Sequence, residues 1–181
     1  MAAQDPVRRS GDEERRPLAL LFVYSWDLIR AILAGVAAIA VFGGSRQVGD
    51  RIESIPVGVQ IVQALAFASL AAALILVGTL LTRRARWVRR AQLVILLMDV
   101  VLVAGTLAVA LITDQNARNG GVIGFSATFV LIDLLAAVAV TEQRVATYYD
   151  EPGPVPVYVG GLIAFWAAAS AAFFVLGLVT R

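Results

Sequence analysis

Four ionisable side chains interrupt otherwise apolar runs of this chain. Asp27 and Arg30 lie in the run 18–43, Asp99 in 91–113 and Asp133 in 122–141. A charge in the middle of a lipid-embedded helix costs roughly 2.5–3.5 kcal/mol on insertion scales, so each of the four needs a partner. Their depths match. Asp27 is ten residues past Pro17, Asp99 nine past Arg90, and Asp133 nine before Glu142. At the helical rise these carboxylates fall ~13–15 Å from one common border, with Arg30 about a turn deeper. One guanidinium can hold one carboxylate bidentately or two singly. Arg30 is therefore expected to meet Asp99 or Asp133 across a helix interface, and Asp27 shares its face at i, i+3. Three acids against one base leave an excess of carboxylate, to be met by protons, hydroxyl donors or water. The set could serve a proton or cation path, or a substrate pocket opening inward. It could equally be an ionic clasp fixing which helices touch. No span carries a second acid to extend a relay, and no broken half-helices mark a midplane site, which favours the clasp.

Other chemistry is scarce. The chain has no His and no Cys, which removes the usual ligands of zinc, copper, haem and iron–sulfur centres and the usual activated nucleophiles. It contains no P-loop, dinucleotide-binding glycine pattern or calcium loop. Carboxylates alone could do acid–base work, but the expectation is a non-enzyme without cofactor or metal. All fifteen basic residues are Arg, and the net charge is +2. They sit beside apolar runs, where membrane topology explains them better than nucleic acid does. The densest group is Arg83, Arg84, Arg86, Arg89 and Arg90 in TRRARWVRR. Such a loop suits anionic lipid headgroups at the inner surface, at ~1 kcal/mol per basic residue.

The elements that position these residues follow from composition. Sixty per cent of the 181 residues are hydrophobic, and the mean hydropathy is +0.82. Soluble domains run at ~45–50% apolar. The chain reads as an all-α polytopic transmembrane bundle of five membrane-spanning helices, at about 18–43, 56–82, 91–113, 122–141 and 157–179, with no sizeable soluble domain. Residues 1–17 read as a disordered cytoplasmic tail. The first run resembles a signal peptide in its flanks, but it is too long for an h-region and carries two charges. Nor can it lie flat over 17–30: the thirteen residues left would reach only ~20 Å of a ~30 Å core. Ser54 with Pro56 reads as a helix start, 44–55 as a polar loop, and DEPGPVP at 150–156 as a break.

Arg is distributed unequally between the two sides. Arg8, Arg9, Arg15, Arg16, the five of 83–90 and Arg144 share one side; Arg46, Arg51, Arg118 and Arg181 share the other. The Arg-rich side should be cytoplasmic, giving N-terminus in and C-terminus out. A Lys-free, Ala- and Arg-rich chain is also associated with GC-rich bacterial genomes, hence a bacterial cytoplasmic membrane.

Small residues recur at helical spacing: Gly160, Ala164, Ala168 and Ala172 in the fifth span, Ala64, Ala68 and Ala72 in the second, Ala31 and Gly35 in the first. Such stripes let helices approach closely. The expected use is packing inside the bundle, with the fifth-span stripe also available to a second copy or a larger complex. Tyr24, Trp26, Trp87, Tyr148, Tyr149 and Tyr158 read mostly as interfacial anchors. The expected role is a small structural or accessory membrane protein acting through helix–helix contacts. The alternative is a small transporter or channel built on Asp27, Arg30, Asp99 and Asp133.

Overall fold

The structure, a computed structural model, describes residues 17–48, 51–113 and 120–179. Residues 1–16 of the expected tail, residues 114–119 between the third and fourth spans, and Arg181 of the orientation count lie outside the described residues. Among the described residues, five helices are long and apolar enough to cross a membrane. They are α1 Leu18–Ala40, α2 Val57–Leu80, α3 Arg86–Thr113, α4 Gly120–Thr141 and α6 Val157–Val179, with a short α5 at Gln143–Tyr148. Between α1 and α2 runs a β-hairpin, β1 Ser45–Val48 and β2 Arg51–Ser54. The protein is thus a small integral membrane protein by the length and composition of its helices.

Three spans begin the same way. The carbonyl of Pro17 accepts from Leu20 N, that of Pro56 from Val59 N and Gln60 N, and that of Pro156 from Val159 N and Gly160 N. Proline has no N–H to leave unpaired and its φ is already near the helical value, so it opens a helix cheaply. Ser54 does not cap α2. It ends β2, paired in register with Ser45, and the residue before the helix is Pro56 with no side-chain cap. The segment expected as a polar loop is therefore a paired hairpin. Gly43, at φ +86°, turns the chain out of α1, a conformation glycine adopts without steric cost. Gln60 then ties the hairpin base down, donating to Ile55 O at 2.7 Å.

The third span starts earlier than hydropathy suggests. Arg86, Trp87, Arg89 and Arg90 are already its first turns. Glu142 breaks α4 from α5 rather than letting one helix run on to Tyr149. Hydroxyls within the spans bond back to their own helices. Ser69 donates to Leu65 O, Thr106 to Leu102 O and Thr128 to Gly124 O, each at 2.6–2.7 Å. That satisfies them in lipid without joining helices.

Helix packing is uneven. α1 packs broadly on α2, α2 on α6, and α3 on α4, with α1 also against α4; α3 meets α2 and α6 more narrowly. The buried core gathers at the end carrying the α2–α3 turn and α5, here called the Arg-rich end. Leu74, Val77, Val88, Ile95, Val159 and Trp166 are each at most 1% exposed there. The same end is stitched by backbone. Arg86 N donates to Glu151 O and Glu151 N to Arg84 O, and Tyr149 Oη donates to Leu81 O at 2.9 Å. Tyr149 and Trp87, expected as interfacial anchors, are 1% and 5% exposed. They are internal struts because the linker folds back over the turn. Towards the hairpin end the helices part. No described side chain is buried beyond Asp99 in α3, before Asp133 in α4 or beyond Ser170 in α6.

Candidate functional site

One face of each of three helices carries the polar residues. On α1, Val23, Trp26, Asp27, Arg30, Ala31 and Ala34 are the buried stripe, spaced three and four apart as one helical face requires. On α3, Gln92 and Asp99 are seven apart and both buried. On α4 the stripe is Asp133, Ala136, Ala137 and Val140. Where these faces meet, Arg30 stands among all three acids. Its Nη2 is 2.7 Å from Asp99 Oδ2, its Nη1 3.2 Å from Asp133 Oδ1, and Nη1 is 3.9 Å from Asp27 Oδ1. The expectation offered Asp99 or Asp133 as the partner; the geometry places Arg30 between both. Neither Nη nitrogen makes an aligned hydrogen bond, so these are close ion pairs rather than a fork docked on one carboxylate.

Two further residues complete the cluster. Gln92 Nε2 donates to both oxygens of Asp27, at 2.9 and 2.7 Å. Trp26 Nε1 donates to Asp133 Oδ1 at 2.7 Å. The expected third span, 91–113, takes in Gln92 at its foot, but a neutral side chain there drew no attention. The signal that could have found it is its seven-residue spacing from Asp99. Trp26, whose position one residue before Asp27 suggests a place deeper than the border aromatics, is buried at 8% exposure, and its hydrogen bond reaches Asp133. Asp27, Arg30, Gln92 and Asp133 are all at most 3% exposed. Gln92 Oε1 and Asp133 Oδ2 are buried with no hydrogen-bond partner. With Asp27, Asp99 and Asp133 ionised, Arg30 neutralises one of three negative charges. The remaining excess has no basic partner among the described residues of the spans.

Asp99 differs from the other two acids. It is 8% exposed and lies in the wall of a cavity of about 340 Å³. This cavity occupies the parted half of the bundle, between α2, α3, α4 and α6. Six aromatic rings line it: Phe67, Phe125, Phe129, Trp166, Phe173 and Phe174. Phe125 stacks on Phe129 with centroids 4.6 Å apart, and Phe129 on Trp26 at 5.2 Å. The rings therefore run from the ion cluster into the cavity wall. Gln63, Ser126 and Ser170 add neutral polar groups. The volume falls within the ~300–1,000 Å³ range of small-molecule sites. The sequence suggested a pocket on the Arg-rich side; the cavity opens in the opposite half, where the α3, α4 and α6 side chains leave the core.

The other candidate residues separate from this site. Arg83, Arg84, Arg86 and Arg90 are exposed and Arg89 half-buried at the Arg-rich end. Arg86 pairs with Asp150, and Arg84 stands 5.2 Å over the Tyr148 ring. Gly160, Ala164, Ala168 and Ala172 are all exposed, so the stripe expected to pack internally faces outward. α6 instead turns Val159, Trp166 and Ser170 inward. In α2, Ala64 is buried but Ala68 and Ala72 are exposed; in α1, Ala31 is buried and Gly35 half-buried. No known protein family, curated protein or solved structure matches this chain.

Proposed function

We propose that this membrane protein binds a small lipophilic organic cation in the aromatic cavity of its bundle. The observation that carries the reading is Asp99, a carboxylate set in a wall of aromatic rings and joined to a cluster with more acids than bases. Aromatic faces attract cations, by about 2 kcal/mol when desolvated. An apolar ligand body suits walls that water solvates poorly. Its positive charge offsets the carboxylate excess that Arg30 leaves. A path running through all three acids is less favoured, because Asp27 and Asp133 are 2% and 0% exposed. The Arg bias supports a cytoplasmic Arg-rich end, and on that orientation the cavity faces the outer half of the bilayer.

The test uses the full chain in lipid nanodiscs. Trimethylphenylammonium and its neutral isostere tert-butylbenzene are titrated in turn, and quenching of tryptophan emission reports binding. The ammonium ion should bind saturably and more tightly than the isostere. Asp99→Asn should weaken only the ammonium ion, by about ten-fold or more for one lost charge-assisted contact. Equal binding of the two compounds, or an unaltered affinity in the variant, rejects the reading.

A second reading is a structural or accessory role through helix contacts. It is favoured by the outward face Gly160, Ala164, Ala168 and Ala172, whose small side chains suit a second copy of the chain or a larger complex.

A further inference from the structure

At the Arg-rich end, far from the cavity, lies a second recess of about 210 Å³ lined by Arg86, Arg89, Arg90, Ala146, Tyr149 and Asp150. We infer that this recess is a binding site for a phosphate-ester anion. Arg86, Arg89 and Arg90 follow i, i+3, i+4 spacing on the first turns of α3, which puts three guanidinium groups on one helix face. Hydropathy gave no sign of that face, because it counts these residues as loop. Across from them, α5 and the linker supply Ala146, Tyr149 and Asp150.

The recess is built rather than incidental. Its floor, Tyr149, is 1% exposed and its hydroxyl is bonded to Leu81 O. Its rim is pinned by the Arg86 N to Glu151 O and Glu151 N to Arg84 O hydrogen bonds. Asp150 holds Arg86 in place and neutralises one of the three guanidinium charges. The remaining two match a phosphate monoester or diester. Guanidinium forks take phosphate oxygens in pairs, which ammonium groups do not. The recess is smaller than the ~300 Å³ at which drug-sized sites begin, which fits a headgroup-sized anion. Two sources share this chemistry: a phospholipid headgroup at the bilayer surface, or a soluble phosphate ester.

The experiment measures binding calorimetrically to the full chain in neutral detergent micelles, using short-chain phosphatidic acid, glycerol 3-phosphate and inorganic phosphate as probes. Two paired variants separate a site from diffuse charge. Arg89→Gln with Arg90→Gln removes two of the lining groups. Arg83→Gln with Arg84→Gln removes the same charge from the adjoining α2–α3 turn, outside the recess. The first pair should weaken binding about ten-fold or more, and the second about two-fold or less. Arg89→Lys, which keeps charge but loses the fork, should fall between. Thermal unfolding of each variant shows that the fold is retained. Binding of phosphatidic acid alone assigns the site to a lipid headgroup; binding of glycerol 3-phosphate as well assigns it to a soluble ester. Equal weakening by both pairs, or no binding of any probe, overturns the inference. The cavity reading is untouched by either result, since Asp99 takes no part.

Discussion

Arg30 is the residue on which the buried cluster depends. It is 3% exposed and stands within 3.9 Å of an oxygen of Asp27, Asp99 and Asp133. Removing it leaves three carboxylates facing one another in a low-dielectric core. Breaking a buried ion pair by deleting one partner costs about 3–5 kcal/mol. Arg30→Ala should lose at least that much in reversible unfolding of the reconstituted protein, and Arg30→Lys part of it. Gln92→Leu should cost less, about 1–3 kcal/mol, as Asp27 loses its donors. A loss below ~1 kcal/mol for Arg30→Ala would mean that the cluster is wet and its charges solvated. The four charged members of this cluster were legible in the sequence, because a charge in an apolar run stands out. Gln92 was not. It is neutral and borders the Arg-rich segment, so nothing but its seven-residue spacing from Asp99 marks it within the run.

Among the elements, α6 is the one whose two faces are most unlike expectation. Trp166, 1% exposed, and Val159, 0%, fill the bundle, while the small-residue stripe is left outside. Lipid tails offer no hydrophobic drive to cover such a face, but close backbone approach by another helix gains dispersion contacts. Copies labelled with donor and acceptor dyes in liposomes should therefore show energy transfer above that of random mixing. Ala164→Leu together with Ala168→Leu should reduce it, since bulk on this face keeps the helices apart. Transfer at the random level in the native chain would remove the support for self-association. The spacing of the stripe was readable from the sequence; its direction was not. Spacing says which residues share a face, and only the neighbours of the helix say where that face points.

At the scale of the molecule, the bundle is closed at one end and parted at the other. The Arg-rich end has the closely packed core and is stitched by the linker, and the hairpin end holds the aromatic cavity. The proposal that the Arg-rich end faces the cytoplasm, argued from the Arg bias, is open to direct measurement. The chain has no Cys, so it is a ready background for single-cysteine labelling. Ser54→Cys, at the end of β2, should react with a membrane-impermeant maleimide on intact cells. Thr82→Cys, in the α2–α3 turn, should react only after permeabilisation. The reverse pattern would invert the orientation and point the cavity inward.

The sequence by itself determined that the chain is a five-helix membrane bundle and which charges lie inside it. Both are set by composition along a run of about twenty residues, the length of helix that crosses a hydrocarbon core. The hairpin was decided by backbone pairing of neighbouring residues that no side-chain pattern announced. The start of a span within the Arg cluster and the burial of Tyr149 and Trp87 were decided by contacts distant in sequence. So was the setting of Asp99 in the wall of the aromatic cavity while Asp27 and Asp133 are at most 2% exposed. Depth along a helix is fixed by counting residues, and Asp27, Asp99 and Asp133 count alike. Whether a side chain at that depth meets a neighbour or an opening depends on how the helices diverge, and that belongs to the packed bundle alone.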